Sequence, residues 1–129
     1  MAYELPLFKL AGLRAAADLS ACQYHFVTIT DEGVVNVCDA ITDVPIGVLQ
    51  NKPAEGATCE IVAIGVTKVV TEENLSAGQL VSTNASGHAI LCEPETDDTV
   101  YIAGTVLEGS TSGETTSIFV NLGAPARAQ

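Results

Sequence analysis

From residue 21 onward the chain is a succession of short apolar runs rich in valine, isoleucine and threonine, each stopped within a few residues by Gly, Asn, Asp, Ser or Pro. β-Branched side chains pack well on a pleated surface, and the interrupting residues favour turns, so this texture specifies many short strands. Candidate strands fall at residues 24–30, 34–38, 46–50, 58–64, 66–71, 79–82, 89–92, 100–107 and 117–122. The turns between them have a chemical basis. Asp31-Glu32-Gly33 and Asn84-Ala85-Ser86-Gly87 each open with a side chain that can bond its own backbone and close with a residue free to take positive φ. Pro53-Ala54-Glu55-Gly56 fixes φ with proline and releases it with glycine. Residues 108–116, with Gly109, Gly113 and several hydroxyls, read as a mobile hairpin tip.

The last strand alternates most cleanly: Ile118, Val120 and Leu122 share one face, while Ser117, Phe119 and Asn121 share the other. Residues 100–107 are apolar on both faces, as expected in a closed barrel, a sandwich or a subunit contact. Gly47, Gly65 and Gly104 stand inside strands, where glycine marks a bulge or a close backbone approach. Helix signals are few. Thr71-Glu72-Glu73-Asn74 suits a single capped turn, and Leu10, Leu13 and Ala17 have helical spacing that Gly12 interrupts. The expected fold is therefore all-β: a compact β-barrel or β-sandwich of short antiparallel strands, with an extended N-terminal arm and little helix. Residues 1–20 form the arm, 21–122 the β domain and 123–129 an Ala- and Pro-rich tail. The arm is apolar around Pro6, with Tyr3, Leu5, Leu7, Phe8, Leu10 and Leu13. It packs either on its own domain or across a neighbouring subunit.

Charge removes whole classes of partner. The 129 residues hold 16 acidic and 5 basic side chains, a net charge of −11. Phosphate backbones are neutralised by clustered lysine and arginine, and none of Lys9, Arg14, Lys52, Lys68 or Arg127 has a basic neighbour in sequence, so nucleic acid is not expected as a partner. An anionic membrane would repel the chain, and no apolar stretch is long enough to span a bilayer. Glu4 stands where a secretory signal would open with basic residues, and Lys9 breaks the apolar run, so synthesis in a cytoplasm is expected.

Chemistry-bearing patterns are missing. Cys22, Cys38, Cys59 and Cys92 show no CxxC or CxxH spacing and each lies in or beside an apolar run, which reads as reduced, buried thiols rather than a zinc site or a disulfide framework. His25, between Tyr24 and Phe26, reads as a hydrogen-bonded structural histidine, and His88, after a turn glycine, as solvated. The acidic run 93–98 lacks the spacing of a calcium loop and reads as solvated. No GxSxG, Walker A or GxGxxG occurs, so no catalytic, cofactor-binding or metal-binding residue is assigned and no cofactor is expected. The chain is not expected to be an enzyme.

The order of features from about residue 17 to 122 resembles the small capsid decoration, or cement, proteins of tailed double-stranded DNA bacteriophages. The resemblance is carried by Pro45-Ile46-Gly47-Val48-Leu49, then Pro53-Ala54-Glu55-Gly56, Cys59-Glu60-Ile61-Val62, Leu75-Ser76-Ala77-Gly78-Gln79-Leu80-Val81, Ile102-Ala103-Gly104-Thr105-Val106-Leu107 and the final strand. It implies a structural virion protein on the capsid exterior. Such a protein forms a homotrimer, binds the major capsid protein of an expanded shell, and stabilises the shell by bridging neighbouring capsomers. On that reading Tyr3, Leu5, Leu7, Phe8, Leu10, Leu13 and Phe119 are the candidate capsid or subunit contacts. The alternative is a small receptor- or carbohydrate-binding β module on a virion or cell surface, using the 108–116 tip.

Overall fold

A computed structural model describes residues 5–93, 100–123 and 126, with residues 5–7 as backbone only. Nine strands are present among them: β1 Leu5–Leu10, β2 Phe26–Ile29, β3 Val35–Val37, β4 Gly47–Leu49, β5 Ile61–Val70, β6 Leu80–Thr83, β7 Ala89–Leu91, β8 Gly104–Glu108 and β9 Thr115–Asn121. They form one sheet in the order β3-β2-β4-β5-β9-β8-β6-β7, with β1 also paired to β5, and every strand pair is antiparallel. The sheet curls into a half-barrel, so the all-β expectation holds. Its curl brings the β6–β7 turn back to β2, where the Phe26 N–H donates to the Gly87 carbonyl oxygen at 2.7 Å. Glycine is required there. Gly87 has φ 77°, and a Cβ on it would lie 2.9 Å from the Phe26 carbonyl oxygen.

The main core fills the inside of the curl with Phe26, Val48, Val62, Val69, Val81, Val106, Ile118 and Val120. Val62 and Val69 both belong to it although seven positions separate them, which a strand of period two does not allow. The change of face falls between Val62 and Ala63, because Ala63, Gly65, Thr67 and Val69 are buried in regular alternation with Ile64, Val66 and Lys68, and the pairing with β1 skips Ala63. One strand with an irregularity thus replaces the two strands expected at 58–64 and 66–71. Gly47 and Gly104 fulfil the close-approach expectation: a Cβ would meet the Val62 carbonyl oxygen at 2.6 Å and the Phe119 carbonyl oxygen at 2.7 Å.

Two smaller clusters lie on the opposite, outer face. Val27, Leu49 and Ile61 alternate with main-core neighbours and, together with Val35, are covered by Ala15 and Leu19, with Leu10, Leu13 and Cys22 packed at the margin. At the other end of the sheet Leu80 and Cys92 are covered by Val100 and Ile102. The residues expected to extend strand 100–107 at its start therefore form a lid, and β8 begins only at Gly104. The helical spacing of Leu10, Leu13 and Ala17 has the same resolution, because Leu10 ends β1 and Leu13 packs as irregular chain over the second cluster.

Both ends of the sheet are sealed by the chain itself. Along β3, the Val35 N–H donates to Arg14 O at 2.8 Å and the Ala16 N–H donates to Val35 O at 2.7 Å. Along β7, the Glu72 N–H donates to Ala89 O at 3.0 Å, and the Leu91 N–H donates to Glu73 Oε2 at 3.0 Å. The segment after Thr71 is thus an edge cover, not the helical turn its caps suggest; the Thr71 hydroxyl accepts from the Glu73 N–H at 3.2 Å. The β8–β9 loop is bound to this same segment. Ser110 and Leu75 exchange backbone bonds at 2.9 and 3.1 Å, and the Ser112 hydroxyl donates to Glu72 O at 2.7 Å. It is a tied loop, where a mobile tip was expected, because glycines supply turn geometry but hydroxyls supply anchors.

Candidate functional site

With its two ends covered, the outer face is left open in the middle, over β5 and β9. Register fixes what is displayed there. Val66 stands opposite Phe119, Phe119 opposite Thr105, and Thr105 opposite Leu80, so these four residues form one row across four strands. Ile64 stands opposite both Asn121 and Phe8, which places the Phe8 position beside the same row. Phe119 is 39% exposed and Phe8 55% exposed, whereas Ile118 and Val120 on the other side of β9 are fully buried. An aromatic side chain left half in water on a regular strand forgoes about 1–2 kcal/mol of burial, the cost expected of a contact surface rather than of a core position.

A shallow open hollow of about 160 Å³ adjoins Phe119, lined by Ile102, Ala103, Gly104, Thr105, Phe119 and Asn121. Pockets that enclose small molecules run to roughly 300 Å³ or more, so this hollow fits a protruding side chain better than a sugar or cofactor.

Of the residues proposed as contacts, Phe8 pairs with Ile64 on one side of β5 and Phe119 with Val66 on the other, and both are exposed. Leu5 and Leu7 lie on β1, and Tyr3 lies outside the described residues. Leu10 and Leu13 instead pack against the covered cluster of the same chain. Sequence reading missed Ile64 and Val66, whose period-two spacing with Lys68 was visible but whose cross-strand partners were not. It also missed Ile29, Ile41 and Val44, exposed by 44%, 46% and 42% around the loop after β3.

The polar groups do not converge on a reaction centre. His88 Nδ1 sits 2.8 Å from Glu72 Oε1, so His88 is partnered and half-buried where a solvated residue was expected. His25 packs edge-on against it, and burial together with His88 lowers its pKa to about 4; its Nδ1 has no hydrogen-bond partner. All four cysteines are free thiols, with Cys38, Cys59 and Cys92 buried. Burial pushes the Cys38 thiol up to about 12, which leaves it un-ionised and unreactive near neutrality. Among the described residues no group of three His, Cys, Asp or Glu side chains is placed to hold a metal ion. Most of the acidic run 93–98 lies outside the described residues.

The phage cement protein family matches this sequence over residues 19–122. The chain belongs to that family. It is a capsid-associated structural protein, and its place is the outside of a phage capsid. Among solved structures, the fold is similar to the N base of head fiber gp8.5 in bacteriophage phi29, with a TM-score of 0.70 at 14% identity, covering 88% of this chain and 95% of that one. A comparison with curated protein sequences found no match. In this cement-family chain the half-barrel offers one open apolar strip and no assembled chemistry among the described residues.

Proposed function

We propose that this protein binds the outer surface of an expanded capsid as a homotrimer, contacts the major capsid protein, and stabilises the shell by bridging neighbouring capsomers. The observation that carries this reading is the apolar strip of Phe8, Ile64, Val66 and Phe119, left uncovered between two self-covered ends of the sheet in a cement-family chain. Phe8 and Phe119 are its contact residues, with Tyr3, Leu5 and Leu7 on the same N-terminal segment as Phe8. Multiple weak contacts on a repeating lattice add through effective concentration, and any ligand that prefers the assembled shell stabilises it by mass action. No reacting group is needed.

The test is to incubate purified protein with undecorated expanded capsids. Saturable, stoichiometric binding and a raised temperature of capsid disruption are expected. Absence of binding at micromolar protein would refute the proposal. A receptor- or glycan-binding role gains nothing from the 108–116 loop, which is bonded down to the 71–75 segment.

A further inference from the structure

The strand order puts β2 near one end of the sheet and the β6–β7 hairpin at the other, so they meet only because the sheet curls. At the meeting point the 84–88 turn is bonded to itself. The Asn84 N–H donates to His88 O at 2.9 Å, the Gly87 N–H donates to Asn84 O at 3.2 Å, and Asn84 Oδ1 accepts from the Ser86 and His88 N–H groups. A turn built this way can move as one body. Its outward ties are specific. Gly87 O accepts from the Phe26 N–H at 2.7 Å, and Glu72 Oε1 lies 2.8 Å from His88 Nδ1 and accepts from Asn84 Nδ2 at 3.2 Å. Thr83, at the base of the turn, is hydrogen-bonded to the Cys38 thiol.

His25 stands at this junction, its ring edge-on to His88 and its Nδ1 buried without a hydrogen-bond partner. A neutral imidazole can leave that nitrogen bare, but a charged one carries an N–H on each nitrogen, and the buried N–H would find no acceptor. Other ionisable groups border the junction. Glu72 follows β5, Cys22 precedes β2, Cys38, Asp39 and Asp43 follow β3, and Lys68 Nζ on β5 lies 5.7 Å over the ring of Tyr24. The charge that acts on His25 is that of His88, of like sign. We propose that the His25–His88 contact is an acid-sensitive latch on the curl: protonation of His25 lifts the 84–88 turn off β2 and admits water to the buried Nδ1, while the β5–β9 ladder stays closed. That ladder runs from Ile64–Asn121 to Val70–Thr115 and has no part in the latch. The latch needs no partner, so it stands apart from the capsid reading.

The sign follows from linkage. Burial and His88 hold His25 at a pKa of about 4 in the closed form, against the ordinary 6.5 once the turn has lifted. The open form therefore takes up the proton first, and opening grows as pH falls from 6.5 toward 4. Glu72 is held below its ordinary 4.5, so its bonds to the turn persist down to that pH. Amide hydrogen exchange of the whole chain tests this, followed residue by residue by NMR from neutral pH to about 5 and corrected for the intrinsic pH dependence of exchange. The Phe26 N–H, whose bond spans the junction, is expected to lose protection roughly ten-fold by pH ~5, while amides of the β5–β9 ladder keep theirs. In His25→Phe and in His25→Gln, neither of which can take up that proton, the acid loss should vanish; melting curves at neutral pH show which variants fold. Unchanged Phe26 protection in the wild-type chain, a loss shared equally by the ladder, or an acid loss that survives in a folded variant overturns the latch.

Discussion

The imidazole of His25 stands edge-on to that of His88, with ring centroids 4.6 Å apart and planes at 86°. Glu72 and Asn84 border the pair from the ends of β5 and β6; Glu72 Oε1 is 2.8 Å from His88 Nδ1 and accepts from Asn84 Nδ2 at 3.2 Å. Burial and the neighbouring His88 hold His25 at a pKa of about 4, below the ordinary histidine value of 6.5. The unfolded chain therefore takes up a proton at a pH where the folded chain does not, and stability rises with pH through that window. Stability is expected to be full above pH ~6.5 and to fall by about 1–2 kcal/mol as pH drops toward 4, after allowance for the partial exposure of the ring. The hydrogen bond and charge of His88 lower the Glu72 pKa, a contribution lost as pH falls through that lowered value, so it acts in the same direction. Thermal melts between neutral and mildly acid pH measure the slope. His25→Phe should flatten it, and an unchanged slope in that variant counts against the assignment.

Gly87 and Gly33 have nearly the same backbone angle, φ 77° and 78°, but different surroundings. A Cβ on Gly33 meets nothing within 4 Å, while one on Gly87 collides with Val37 and with the Phe26 carbonyl oxygen. Gly33→Ala is expected to cost ~1 kcal/mol of backbone strain alone. Gly87→Ala is expected to cost about 2–4 kcal/mol, because it also pushes the β6–β7 turn off β2. Urea denaturation of the two variants gives the comparison, and equal costs would show that the turn does not close the curl.

Ile118 and Phe119 are adjacent in sequence and opposite in role. Ile118→Ala empties a fully buried position of the main core and is expected to cost about 2–5 kcal/mol without altering the contact strip. Phe119→Ser is expected to cost about 1 kcal/mol of stability but to lower capsid decoration about ten-fold or more. Measuring melting and capsid binding on both variants separates the two effects. Parallel losses in both assays for both residues would remove Phe119 from the contact.

Four free thiols predict a simple redox behaviour. In guanidinium without reductant, a thiol reagent should titrate all four cysteines, and in the native protein only half-buried Cys22 should react at an appreciable rate. Reductant should leave the melting temperature unchanged. Fewer than four titratable thiols in the denatured chain would mean a disulfide exists.

The local code of the strands was legible because the turn residues act on their own backbone. Gly33, Gly56 and Gly87 all take positive φ where the sequence demands a turn, and Asn84 Oδ1 accepts from the Ser86 and His88 N–H groups at 2.9 and 2.8 Å. The alternation of Ile118, Val120 and Leu122 against Phe119 and Asn121 translated directly into an inner and an outer face, whereas Ser117, expected with Phe119, is fully buried. What failed to show was tertiary. That Val66 would meet Phe119, or that residues 13–22 and 100–102 would cover the outer face only at its ends, depends on register between distant segments, which no local pattern encodes. The contact strip is defined by that incomplete cover, so only its aromatic members were visible beforehand.

The sealed ends of the sheet bear on life at very high density. A shell decorated by many copies holds exposed backbones at separations where bare strand edges polymerise into cross-β stacks. With Arg14 and Ala16 bonded along β3 and Glu72 and Glu73 along β7, these two borders offer a crowded neighbour little bare backbone on which to add a strand.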